Sequence, residues 1–167
     1  MKSVLLILLW MAGSVLGTLA NPANDLSKYQ ALFIYKFTEY FEWDQAQNLT
    51  IGVFGNTRVI GELEQFVAKR DNRITVKKIA GLEDISDCQI IFLADDQQRN
   101  LELLLEKTQG DAVLIVTETP DLAQQGAGIS FYVENDRLKF QLNVESIEAR
   151  KIRINSSIRG IATVVRG

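Results

Sequence analysis

The apolar and polar positions change period several times along the chain, and each change marks an element. Lys2 precedes an apolar stretch from Val4 through Trp10 to Leu16, which exits through Thr18-Leu19-Ala20. Residues 21–25 read as a short lead-in, with Ser27 as the N-cap of a first helix. Over residues 26–42 the pattern is helical: Tyr29, Phe33, Phe37 and Tyr40/Phe41 recur three and four apart and share one face. Residues 49–54 form a strand, ended by Gly55-Asn56, and a helix follows over residues 58–70. Residues 74–79 read as a second strand. Residues 89–93 are a near-continuous apolar run, as expected of a strand covered on both faces. Asp95-Asp96 opens a helix through Leu101, Leu104 and Leu105; residues 112–116 are another buried strand; Pro120 sits early in a short helix that Gly126 closes.

Beyond Gly126 the period falls to two. Residues 129–133 and 138–142 alternate in polarity around the turn signal Glu134-Asn135-Asp136-Arg137, which predicts a β-hairpin at the edge of the sheet. A helical stretch from about Val144 leads to the C-terminus. Strands alternating with helices predict one three-layer, Rossmann-like α/β domain: a mostly parallel sheet, helices on both faces and a C-terminal antiparallel hairpin.

The opening stretch carries a separate message. A charged start, a short apolar core and a small-residue exit form the pattern of a secretory signal peptide, with cleavage near Ala20. The uninterrupted apolar run falls short of the roughly 20 residues a membrane-spanning helix needs, so the processed chain is not expected to span a membrane. Residues 21–167 remain as a single domain. A chain of roughly 150 residues buries about 70% of its unfolded surface, enough for a self-sufficient core. The formal net charge of −3 lacks the basic face that nucleic acid demands. Cys88 is the single cysteine, so no intrachain disulfide forms. It reads as a small buried hydrophobe, with a reactive or intermolecular thiol as the other reading.

Candidate chemistry is sparse. The sequence holds no histidine, which removes the commonest general base and the commonest metal ligand and excludes Ser-His and Cys-His nucleophile pairs. Cys88 has no adjacent cation to favour its thiolate. Gly52-Val53-Phe54-Gly55 is not the dinucleotide fingerprint, and no phosphate-loop pattern exists. No enzyme activity, metal or cofactor is therefore expected. Asp95 and Asp96 sit where a parallel strand ends, the place ligands favour in open α/β sheets; with Asn56 and Thr117 they outline a possible small-molecule pocket. The plainer reading is that both aspartates cap the helix they open. In the first helix Phe33, Phe37, Phe41 and, just beyond it, Trp43 read as core. Tyr29, Tyr35 and Tyr40 cannot then all face the sheet, so at least one tyrosine lies at the surface, where Tyr favours protein interfaces.

Three segments together carry a resemblance. Tyr35-Lys36-Phe37-Thr38-Glu39-Tyr40-Phe41-Glu42-Trp43, followed by Leu49-Thr50-Ile51-Gly52-Val53-Phe54-Gly55, resembles the opening of YfiR-like proteins. Cys88-Gln89-Ile90-Ile91-Phe92-Leu93 is similar to that family's central strand. Gly126-Ala127-Gly128-Ile129-Ser130-Phe131 through Phe140-Gln141-Leu142-Asn143 is similar to its glycine turn and closing hairpin. The resemblance spans about residues 28–165. It implies a periplasmic α/β domain that binds the periplasmic sensor part of an inner-membrane diguanylate cyclase and holds it inactive; release raises cyclic-di-GMP and promotes biofilm. Two departures stand out. Some members carry disulfides that one cysteine cannot supply, and residues 154–162 replace a more leucine-rich helix.

These readings converge on a periplasmic binding protein that represses a membrane-bound signalling partner by contact. A small-molecule carrier or sensor, with its ligand at the strand C-termini, is the alternative, and a homodimer stays open. The contact surface expected for a partner combines a tyrosine of the first helix (Tyr35 or Tyr40), the hairpin tip at Asn135 and Asp136, and the basic stretch Arg150, Lys151 and Arg153. An edge strand offers unpaired backbone for augmentation, and arginines pair with carboxylates.

Overall fold

The computed structural model describes residues 22–44, 48–70 and 73–167. Residues 1–20, where the export signal is expected, lie outside the described residues. The aromatic helix α1 runs Pro22–Tyr40 and passes directly into a two-residue strand, β1 (Phe41–Glu42). It begins earlier than the sequence suggests, so Ser27 lies inside it and is not its N-cap. Then come β2 (Leu49–Phe54), α2 (Val59–Arg70), β3 (Ile74–Ile79), β4 (Ile90–Leu93), a 3-10 turn over Asp95–Asn100, α3 (Leu101–Lys107) and β5 (Leu114–Thr117). A second 3-10 turn, Leu122–Gln125, is closed by Gly126 at φ 105° as predicted. The hairpin is β6 (Ile129–Glu134) and β7 (Arg137–Asn143). The chain ends with α4 (Val144–Ala149), β8 (Arg153–Ile154), α5 (Ser156–Arg159) and β9 (Thr163–Val165).

Seven strands form one sheet in the order β3-β2-β4-β5-β6-β7-β9. The first five are mutually parallel, β7 returns antiparallel to β6, and β9 runs parallel to β7. This is the mostly parallel, Rossmann-like arrangement that the alternating pattern predicts. Strand alternation divides the core in two. Ile51, Val53, Ile90, Phe92, Leu114, Val116, Ile129, Phe131, Phe140 and Leu142 pack with α1, α2, α4 and α5, whereas Phe54, Ile79, Ile91, Leu93 and Ile115 pack with α3 and the second 3-10 turn. Apolar burial on both faces is what lets the central strands be continuous apolar runs.

Two expectations are corrected at the C-terminal end. The hairpin is not the sheet edge, because β9 pairs with the second half of β7, Gln141 with Thr163 through Asn143 with Val165. The last stretch is not one helix either. Asn143 starts α4 by accepting the Ser146 N–H at 2.9 Å. A Schellman motif stops it: the Lys151 N–H donates to Glu148 O at 2.9 Å and the Ile152 N–H to Ile147 O at 3.4 Å, with Lys151 left-handed at φ 60°. Ile147 and Ile152 are both buried, the apolar contact that accompanies such a stop. The chain then turns back, and β8 pairs with β1 through Phe41–Ile154 and Glu42–Arg153.

Candidate docking groove

The sites expected from sequence separate once placed in three dimensions. At the strand C-termini, Gly55 has φ 117°, and a Cβ there would lie 2.3 Å from Asp96 Oδ1, so the turn requires glycine. That tightness lets the Asp96 carboxylate accept the Asn56 backbone N–H at 3.2 and 3.1 Å. Asp95 Oδ1 accepts the Thr119 hydroxyl at 2.7 Å, while its own backbone N–H donates to Glu118 Oε2 at 3.1 Å. Neither aspartate caps the 3-10 turn it opens; that position belongs to Ala94, which has no side-chain cap bond. Both instead tie neighbouring strand ends together. Thr117 is fully buried, its hydroxyl bonding Thr119 O at 3.1 Å and Ser130 Oγ at 2.9 Å. The crevice beside Asn56 and Asp96 holds about 330 Å³. Its free backbone donor, the one an anionic ligand would use, already carries the Asp96 carboxylate.

The basic stretch is likewise dispersed. Arg150 is half-buried and donates to Thr108 O at 3.0 Å and Thr108 Oγ1 at 2.9 Å. Burial lowers its guanidinium pKa, opposed by Asp111, so its charge serves the chain's own packing. Arg153 pairs with Glu42 at 3.3 Å and Asp44 at 3.2 Å, bracing the β1–β8 pair. Lys151 is exposed at the left-handed stop of α4.

The tyrosines sort differently from expectation. Tyr35 is buried at 8% exposure, with the Arg70 guanidinium 5.8 Å from its ring centroid. Tyr40 is half-buried against the core. Tyr29 is the exposed one, at 55%. It stands on α1 four residues before Phe33 and three after Leu26, so all three share a face.

That face meets the hairpin tip. Asn135 (φ 51°) and Asp136 (φ 58°) form a two-residue turn with both residues left-handed, the geometry that suits the twist of a tight hairpin. Val133 and Leu138 sit opposite each other just before it. On the same face of the hairpin they are the next pair out from Phe131 and Phe140, whose rings Phe33 meets at 6.1 and 5.5 Å. The result is a groove of about 650 Å³ between α1 and the hairpin, lined by Leu26, Tyr29, Phe33, Val133, Leu138 and, at its mouth, Asp136 and Arg137. Its floor continues the aromatic core. Among the described residues, the large apolar side chains left exposed are Tyr29, Leu103, Val133, Ile161 and Val164. Two of them border this one groove.

A family model described as YfiR/HmsC-like matches residues 27–163, which takes in α1 from residue 27 on, the seven-stranded sheet except its last two residues, and the groove's lining apart from Leu26. The chain belongs to the YfiR/HmsC-like family. No curated protein matches it. In this YfiR/HmsC-like chain the expected tyrosine and hairpin tip do come together, but through Tyr29 rather than Tyr35 or Tyr40. Sequence reasoning missed Leu26, Val133, Arg137 and Leu138. The available signal was the alternation of the hairpin, which carries one apolar pair further out than the helix facing it can cover.

Among the described residues, no helix is long and apolar enough to cross a membrane, and no cluster of three or more Cys, Asp or Glu side chains is placed to hold a metal ion. Cys88 is buried, and burial pushes its thiol pKa up against the pull of Lys77. That is the opposite of an activated nucleophile.

Proposed function

We propose that this YfiR/HmsC-like protein is an exported regulatory binding protein, with residues 1–20 as a cleaved signal peptide and residues 21–167 as one binding domain. It works in the periplasm on the sensor part of an inner-membrane signalling protein of the diguanylate cyclase type. It holds that partner inactive by occupancy, without chemistry of its own and without a cofactor.

The α1–hairpin groove carries this reading. It is apolar, open, floored by the rigid aromatic core and rimmed by charge, which is the anatomy of a protein-docking surface. The charged side chains at the strand C-termini are bonded to neighbouring strand ends, which favours docking over catalysis there. A partner shifts a two-state switch only through differential affinity for the two states. About 5.5 kcal/mol of differential binding moves such a switch from 1:99 to 99:1, and an interface of about 1,600 Å² is large enough to supply it. Hairpin and α1 lead the contact, with Asn135, Asp136 and Lys151 as the exposed polar groups from the sequence-based set.

A deletion strain tests the reading. Loss of the gene should raise cyclic-di-GMP and biofilm, and the exported protein recovered from the complemented strain should begin at about Asn21. An unchanged second-messenger level in the deletion strain overturns the regulatory reading; a mature protein that retains Met1 overturns export by cleavage.

A further inference from the structure

The end of the sheet away from Asn56 and Asp96 carries a cleft that the docking groove does not touch. It lies where Gln89 and Val113 lead into β4 and β5, and it holds about 660 Å³. A space of this order accommodates a small organic ligand. Trp43 forms part of its wall while only 9% exposed, and its buried indole N–H has no hydrogen-bond partner. Buried polar groups are nearly always paired, and an indole can only donate. The cleft therefore lacks an acceptor that the described residues do not supply.

The charges of the lining are unpaired as well. Glu83, Asp87, Asp111 and Lys107 are exposed, and among the described residues none of them makes a salt bridge or a side-chain hydrogen bond. Asp111 acts only electrostatically, on Arg150, and a fourth carboxylate, Asp44, is held by Arg153. Three unpaired carboxylates against one ammonium make the cleft attractive to a cation. They are not placed to share a metal ion, so the cation that fits is an extended organic one. A protonated amine cannot accept the Trp43 N–H, so the ligand also needs a neutral oxygen beside its charge, and Lys107 offers that oxygen a second donor.

We propose that this cleft binds a small hydroxylated amine of amino-sugar size, its ammonium taken by the carboxylates of Glu83, Asp87 and Asp111 and a hydroxyl oxygen accepting the Trp43 N–H. The cleft shares no lining residue with the docking groove, so the proposal stands or falls separately from the docking reading.

Trp43 is the only tryptophan beyond residue 20, so its fluorescence reports on the cleft directly in the purified exported chain. The probe is glucosamine. N-acetylglucosamine keeps the hydroxyls without the charge, and 1,4-diaminobutane keeps the charge without an oxygen. Glucosamine should give a saturable change, and each of the other two should bind roughly tenfold more weakly or worse. Calorimetry then compares two variants. Glu83→Gln plus Asp87→Asn removes two charges at exposed positions, and asparagine suits the left-handed Asp87 at φ 64°; glucosamine binding should fall roughly tenfold or more. Trp43→Phe keeps an aromatic ring and loses the N–H, and it should weaken binding too, which a purely packing role for Trp43 would not do. A flat glucosamine titration overturns the proposal. So does equal binding of either control compound, undiminished binding by the folded carboxylate variant, or a folded Trp43→Phe chain that binds like wild type.

Discussion

Phe37 is where the aromatic core converges. It stacks on Phe131 at 6.1 Å and meets Phe140 and Phe41 edge-on at 5.4 and 5.8 Å, with no exposed surface. Removing a ring from such a site loses both its transfer energy and the contacts of its neighbours. Phe37→Ala should therefore lower unfolding free energy by about 3–5 kcal/mol in urea denaturation; a wild-type midpoint contradicts the packing described. Cys88 gives a pH-dependent counterpart. Its thiol pKa is raised by burial, against an opposing pull from Lys77. The folded chain thus holds the proton more tightly than the unfolded chain. The stability this contributes is complete below the ordinary thiol range and is lost as pH rises through it toward the folded value. Comparing wild type with Cys88→Ala isolates the effect: the wild-type urea midpoint should fall more steeply above the thiol range, and equal slopes would show that the thiol is not held protonated by the fold. Periodicity revealed Phe37 because a helix stripe marks its own inward face. It placed Tyr29 on the stripe and Tyr35 on the opposite side of the helix, and the structure inverts both: Tyr35 is covered, with Arg70 of α2 over its ring, while Tyr29 is exposed.

At the scale of elements, the strands and the hairpin were legible because two-residue periodicity, apolar runs and the Asn135-Asp136 turn are local signals. The end of α4 was not, because its left-handed stop falls on a lysine instead of a glycine. The motif is fixed by Ile147 and Ile152 finding the same core, a tertiary fact. This makes a pointed prediction. Lys151→Val places a β-branched side chain in a left-handed conformation and should cost about 1–2 kcal/mol, whereas Lys151→Gly should be neutral or slightly stabilising. Thermal unfolding of the pair separates the cases, and equal losses would mean the Schellman stop does not form. β9 was hidden for a related reason. Three residues are too few to show a period, and it becomes a strand only because β7 presents an open edge at Gln141–Asn143.

For the whole molecule, the proposed function rests on which surfaces the fold leaves unsatisfied. Asp95, Asp96, Arg150 and Arg153 are each engaged within the chain, so the residues that looked most chemical in the sequence hold the fold together. The groove between α1 and the hairpin joins two of the exposed apolar side chains, Tyr29 and Val133, and is assembled from residues about a hundred positions apart. That separation is why it could not be read from sequence, although its exposed tyrosine and hairpin tip were each anticipated in kind. The account therefore stands on one comparison in cells. A deletion strain is complemented either with wild type or with Tyr29→Ala plus Val133→Asp, both positions being more than half exposed, so that folding and export are preserved. Cyclic-di-GMP is then measured at matched periplasmic protein levels. Wild type should return the second messenger to its original level, and the doubly substituted, folded protein should leave it raised. Full restoration by the groove variant would contradict the claim that this protein acts through that groove.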